Sequence, residues 1–499
     1  MDENQLELHR SWRLRAASVA CLQGSDVMWH SQQLLWLGTL ACLVLAAGCS
    51  RTGDVAHVPS QNVANSTDAA DNSVRNLESL RTSGRFDQFV SGCLTAADQY
   101  PYDATIGLLK CEALLATGRN QEAEQLALEA ANLATDQAEP GLAGLAIKLW
   151  NTARFRQAAS LDDPRALELL ARQPHGEPSV EMLRYWQQTL GSRTPYRLDG
   201  PTAGPVEMTM ALAAPGSLPY ELSAFEARAS GANLPFVFID TGAQHTLMTT
   251  DAARAAGVRL GGVSTQLTGF AGLSAQPGLI ERLDLGGLIL HDVPVLVGDS
   301  PPLVAAHGQM SLGTDLLQHL RFCIDYPARR VTVEPAGQAD RHGYSQETWS
   351  IPLWTFSQIC LASGKIDDET QVRVLVDTGD RAGTFISYRW ARHSLPQLEG
   401  PSASMVFRYK KRNLTLPDLL LGSQKLPAWP VVDTMPRELD RLHLVDVMMG
   451  RDLLKRYRLT IDLPGRVLKL ERSQENQRLP QTAAMDNGER DNGERYDAP

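Results

Sequence analysis

Two aspartates carry the strongest chemical signal in the chain. Asp240-Thr241-Gly242 follows the apolar run LPFVFI, and Asp377-Thr378-Gly379 follows VRVLV, 137 positions later. One D-T-G recurs by chance, but here the surroundings repeat as well. Each triplet is followed 73 residues on by the glycine of a G-x-D-L-L run, Gly313 or Gly450, and then by I-D-x-P beginning at Ile324 or Ile461. Gly286 and Pro294 match Gly422 and Pro430 at an offset of 136, so one residue is gained or lost between the copies. Repetition at a fixed period marks a duplicated structural unit. Two carboxylates brought close together cannot both ionise, so such a pair shares one proton. The ionised member can then take a proton from water while its partner donates one to a substrate oxygen. This chemistry calls for no metal and no cofactor. Gly242 and Gly379 permit the close backbone approach it needs.

Other candidates are weaker. His245 beside the first triplet reads as a surface histidine rather than a catalytic one. Ala243 follows the first triplet and Asp380 the second, and a third carboxylate there would raise the proton affinity of the pair if it pointed inward. Thr246 and Thr384 are 138 apart, so the second loop is one residue longer, and Asp380 is expected to face solvent on it. No G-x-S-x-G, H-E-x-x-H or phosphate-loop run occurs, so serine, zinc and nucleotide chemistries lack support. The net charge of −10 is spread along the chain and argues against nucleic acid. The nearest basic run, Arg408-Tyr409-Lys410-Lys411-Arg412, reads as a solvated hairpin. Cys93, Cys111, Cys323 and Cys360 lack zinc-site spacing and read as buried thiols, with a Cys93–Cys111 disulfide the alternative.

The elements that must position the aspartates follow from texture. After Gly200 the chain turns to β-rich runs punctuated by Gly and Pro, among them LDLGGLILHDVPVLV, RRVTVEP, DLLLGS, RLTIDL and RVLKLE. Residues 76–192 are instead rich in Ala, Leu, Glu and Gln, which favours helices. There Gly84-Arg85 recurs as Gly118-Arg119, with Ala96 and Ala130 twelve residues beyond each glycine, and a weaker third unit is suggested near Ala153-Arg154-Phe155. Residues 49–75 are polar and aperiodic and read as a flexible tether; 473–499, with DNGER twice, reads as a disordered tail. Residues 1–48 form a leader. Its apolar stretch from Leu34 to Ala47 is too short to span a bilayer and suits the core of a signal peptide. Met28 is an alternative start.

The duplicated D-T-G and G-x-D-L-L units resemble the pepsin and retropepsin superfamily of aspartic peptidases, above all its bacterial retropepsin-like members. The resemblance implies a mainly-β, two-lobed aspartic-protease fold, with lobe 1 at 205–338 and lobe 2 at 345–472. It implies Asp240 and Asp377 as the catalytic pair, with Thr241, Gly242, Thr378 and Gly379 in support. The segments crossing beneath the loops would be Ser311-Leu312-Gly313 and Met448-Met449-Gly450, Ser311 being polar where the family is apolar. A glycine-rich flap would lie around Gly269, Phe270 and Gly272, with Met405 to Thr415 in the comparable place of lobe 2. The substrate implied is a protein or peptide in extended form. The 34-residue spacing of 76–192 resembles tetratricopeptide repeats, a surface for a protein partner or a spacer. Ala46-Ala47-Gly48-Cys49 resembles a bacterial lipobox, implying lipidation at Cys49 and a membrane-anchored lipoprotein of the cell envelope; cleavage near Ala47, with Cys49 incidental, is the plainer alternative. The fold class expected is therefore multidomain α + β. The rival function is a non-catalytic, peptide-binding lipoprotein that keeps the fold.

Overall fold

The computed structural model describes residues 61–472 apart from 174–177, 200–205, 211–223, 268–272, 301–307, 338–347, 357, 367–369, 381–383, 388–413, 417–418, 423, 427–428, 432 and 435–444. The chain divides into two units between Ser73 and Val74, and the later helices, both β lobes and the site belong to the second. The architecture is an N-terminal helical region followed by a mainly-β region, as expected.

Helix Gln61–Thr82 starts inside the stretch read as a tether. Ala70, Val74 and Leu77 are buried there, and their spacing of four and three builds one helix face from an otherwise polar run. Six helices follow in sequence: Phe86–Gln99 packs on Ala104–Ala116 and Asn120–Asp136 on Pro140–Arg156, while Pro164–Arg172 and Pro178–Leu190 each pack on Pro140–Arg156. Ala153, Arg154 and Phe155 therefore close a helix rather than open a third repeat. The alanine content is used for close packing: Ala123, Ala127, Ala130, Ala131, Ala134, Ala143 and Ala146 are all buried. Gly84 and Gly118 adopt φ of 73° and 76°. At the second of these, Arg119 N donates to Leu114 O (2.9 Å) and Gly118 N to Leu115 O (3.1 Å), the paired bonds that close a helix on a left-handed glycine.

The β region holds two copies of one lobe plan. In the first, strand Met310–Leu312 runs parallel to Ala232–Ile239, with Leu312 opposite Ile239. In the second, Val447–Met449 runs parallel to Thr370–Val376, with Met449 opposite Val376. These partners are related by the same 137-residue offset seen in the sequence. The lobes are joined in one sheet, because Leu320–Asp325 of the first pairs antiparallel with Tyr457–Asp462 of the second. Cys323 stands opposite Thr460, which is its own equivalent at the 137-residue offset. A residue paired with its own copy lies on a two-fold axis, so the duplication has produced a self-complementary interface within one chain. A buried Arg321–Glu334 ion pair sits in the same sheet. Strand Arg197–Asp199, ahead of the expected lobe start, also joins the first lobe by pairing with Leu288–Val297.

Candidate active site

Each D-T-G lies at the end of a strand, just where the parallel partner strand also ends. Asp240 N donates to Leu312 O (3.0 Å) and Asp377 N to Met449 O (3.0 Å), so both loops leave their sheets from the same position. The threonines then cross between lobes. Thr241 N donates to Thr378 Oγ1 (3.2 Å), and Thr378 N to Thr241 Oγ1 (3.1 Å). The Thr378 hydroxyl continues to Ile239 O (2.7 Å), and that of Thr241 to Val376 O. Both side chains are fully or nearly fully buried, and every polar group of the exchange is satisfied.

The glycines bring the carboxylates together. A β-carbon on Gly242 would stand 2.5 Å from Asp377 Oδ2, and one on Gly379 would stand 2.4 Å from Asp240 Cγ. Each carboxylate therefore occupies the space over the opposite triplet's glycine, where no other residue would fit. Backbone N–H groups hold the near oxygens. Asp240 Oδ1 accepts from Gly242 (3.1 Å) and Ala243 (3.0 Å). Asp377 Oδ1 accepts from Gly379 (2.9 Å) and Asp380 (3.0 Å).

The electrostatics are unequal. Burial pushes the Asp240 carboxyl up to about 6, against the pull of the Gly242 and Ala243 N–H groups. Asp377 is held well above the usual carboxylate range, first by burial and then by the charges of Asp240 and Asp380. Burial and like charge both disfavour a second negative charge, so the pair holds a proton above the usual carboxylate range. Asp380 is itself buried at 8 % exposure, which corrects the expectation that it faces solvent. The extra residue in the second loop lies beyond Asp380, since the Thr246 and Thr384 positions are the ones offset by 138, and the backbone up to Asp380 follows the first lobe.

Two further residues support the first loop. Asp315, the acid of the first G-x-D-L-L, accepts from Thr246 N (2.9 Å) and Thr246 Oγ1 (2.8 Å) and is 8 % exposed. It ties the far end of the Asp240 loop to helix Thr314–Leu317. The repeated acid in both copies was the available signal for such a role. His245 is half-buried rather than on the surface, with Nδ1 3.7 Å from Asp315 Oδ2 and its ring 6.2 Å from that of Trp186. Ser311 is buried in the crossing strand opposite Phe238. The flap residues Gly269, Phe270 and Gly272 lie outside the described residues; the arms that carry them, Thr265–Leu267 and the start of Leu273–Leu285, pair antiparallel. Residues 405–413 of the second lobe and Arg408 to Arg412 are likewise outside, as is Cys49. Cys93, Cys111, Cys323 and Cys360 are free and buried, and burial pushes the Cys360 thiol up to about 12. Among the described residues no cluster of His, Cys, Asp and Glu could hold a metal ion.

A mainly-β region whose paired loops present two facing aspartates is consistent with a retropepsin-like domain. The model of an aspartyl protease family matches residues 225–316, from strand Ala224–Ala229 to the G-x-D-L-L helix. No curated protein matches the chain.

Proposed function

We propose that the protein is an aspartic endopeptidase that hydrolyses peptide bonds with a water activated between Asp240 and Asp377. The observation that carries this reading is the reciprocal seating of each carboxylate over the opposite triplet's glycine. Asp377, the more buried of the two and flanked by Asp380, holds the shared proton. Asp240 is the ionised partner. In the first step Asp240 takes a proton from water, the oxygen attacks the scissile carbonyl carbon, and Asp377 gives its proton to the carbonyl oxygen. In the second, Asp240 passes its proton to the amide nitrogen, the C–N bond breaks, and Asp377 recovers a proton from the collapsing diol. The substrate is an extended segment that adds as a strand beside the hairpin arms.

The mature protein is proposed to start at a lipidated Cys49 and to work at the cell envelope. The lipobox-like Ala46-Ala47-Gly48 step supports this. The helical region offers faces on which a protein partner could dock.

The deciding experiment is cleavage of a random peptide library by the purified chain, with and without pepstatin, alongside Asp240→Asn and Asp377→Asn. Pepstatin-sensitive turnover that disappears in each variant is expected, with losses of at least about 10²-fold. Cleavage that persists in either variant places the catalytic pair elsewhere, and tight peptide binding without cleavage favours the binding-protein reading.

A further inference from the structure

Three parts of the chain meet at Gln358. This residue lies in the turn between strands Thr348–Phe356 and Ile359–Ile366 of the second lobe, with φ of 61°, a left-handed conformation unusual for a residue with a β-carbon. Its side-chain amide donates to Thr152 Oγ1 (2.8 Å) in helix Pro140–Arg156. Its carbonyl accepts from the hydroxyl of Thr314 in the first lobe. Thr314 N in turn donates to Ala243 O (2.9 Å), the residue next to the Asp240 triplet. A continuous chain of hydrogen bonds thus runs from the helical region through the second lobe to the loop that carries Asp240.

Contacts on either side extend this joint. Phe86 and Phe89 place their rings 4.8 Å and 5.5 Å from Phe356, and Phe86 also meets Trp354 at 5.8 Å. Gly84 lies so close to Arg373 that a β-carbon there would be 2.9 Å from its Cγ, and Ser363 Oγ donates to Gly84 O (3.2 Å). Toward the first lobe, Trp186 Nε1 donates to Gly278 O (3.1 Å) and Tyr185 to Arg259 O (2.6 Å). The Tyr196 ring, packed on Phe155, stacks on His319 at 4.4 Å. The helical region therefore grips both lobes through buried aromatics and shares their core.

We propose that the helical region is an intramolecular clamp fixing how the two lobes meet, with Gln358 the positioning residue through which it reaches the Asp240 loop. A clamp of this kind goes beyond a spacer or a recruitment surface. Its kinetic consequence rests on the peptidase reading; its structural consequence does not.

The test uses hydrogen exchange of the full chain, read by mass spectrometry over residues 240–248, with peptide turnover measured in parallel. Thr152→Val, nearly isosteric, and Gln358→Ala should each speed exchange of that loop about tenfold, the factor expected for one net hydrogen bond. The double variant should do no more than either single change, because both break one link. Gln358→Gly keeps the carbonyl and suits the positive φ, so it should stay folded while loosening the loop as Gln358→Ala does. Thr135→Val, whose hydroxyl bonds to Ala131 O within its own helix, should leave the loop unchanged. kcat should fall in Thr152→Val and Gln358→Ala with KM little altered. Exchange of 240–248 at the wild-type rate in both variants, or additive effects in the double variant, would overturn the clamp. Coupled exchange in a chain that cleaves nothing would keep the clamp and defeat the peptidase reading; intact, pepstatin-sensitive turnover with uncoupled exchange would do the reverse.

Discussion

Asp240 and Asp377 share a backbone geometry but not a neighbourhood. Ala243 N–H serves the first where Asp380 N–H serves the second, and only the second brings a charge with it. That charge helps hold Asp377 protonated. Asp380→Asn should therefore release the proton of the pair earlier. The alkaline limb of the kcat/KM profile should move down by about one pH unit, with the acid limb little changed. An unmoved alkaline limb would show that Asp380 exerts no field on the pair. The same electrostatics have a sign for stability. Both carboxyls bind protons more tightly in the native state than the ordinary carboxylate value near 3.9. As pH rises from 4 through 6 the unfolded chain loses protons that the native state keeps, so native stability falls. Asp377→Asn escapes this penalty. In denaturant titrations it should exceed the wild type in stability at pH 8, with the gap closing toward pH 4. An Asn variant less stable than wild type across that whole range would contradict the burial argument.

At the scale of elements, helix ends show what sequence reveals and what it conceals. Gly84 and Gly118 stood out because glycine takes positive φ readily, and both are left-handed helix terminators. The next two turns use Ala138 and Ala158, at φ of 58° and 47°, with the same bond from the following N–H back to the last helical turn. Alanine gives no sign of such a conformation, so the third helix pair was misplaced onto residues that end a helix. Ala158→Gly should remove the strain and raise stability by about 0.5–1 kcal/mol, seen as a higher urea midpoint at unchanged m. A lower midpoint would mean that the alanine methyl is needed for packing. Strand Ala224–Ala229 shows a similar limit. AFEARA has helix-favouring composition, yet Glu226 and Arg228 alternate outward between buried Phe225, Ala227 and Ala229. The paired aspartates were legible because their strands, loops and crossing segments were copied together at one offset. Asp380 and the docking of the helices were not, since burial and such contacts depend on partners far away in the chain, 206 residues for Gln358 with Thr152 and 92 for Trp186 with Gly278.

At the scale of the whole molecule, the helices from Ala104 onward and both lobes share one core, and the four described cysteines are free and buried. Among the described residues no helix is long and apolar enough to cross a membrane. The attachment proposed above rests on Cys49. Cys49→Ala should shift the protein from the membrane to the soluble fraction on cell fractionation and leave purified activity intact. Retention in the membrane fraction would rule out the lipid anchor. The pairing of Cys323 with Thr460, each the other's copy, has a consequence in genetics. On the peptidase reading, one polypeptide supplies both triplets, so no site need be assembled from two gene products, and loss-of-function alleles should then be recessive when co-expressed with an intact one. The same freedom lets the two halves of the gene accumulate different changes, since a mutation in one is no longer imposed on the other. Asp380, which stands where the first copy has Ala243, is one such difference between the halves.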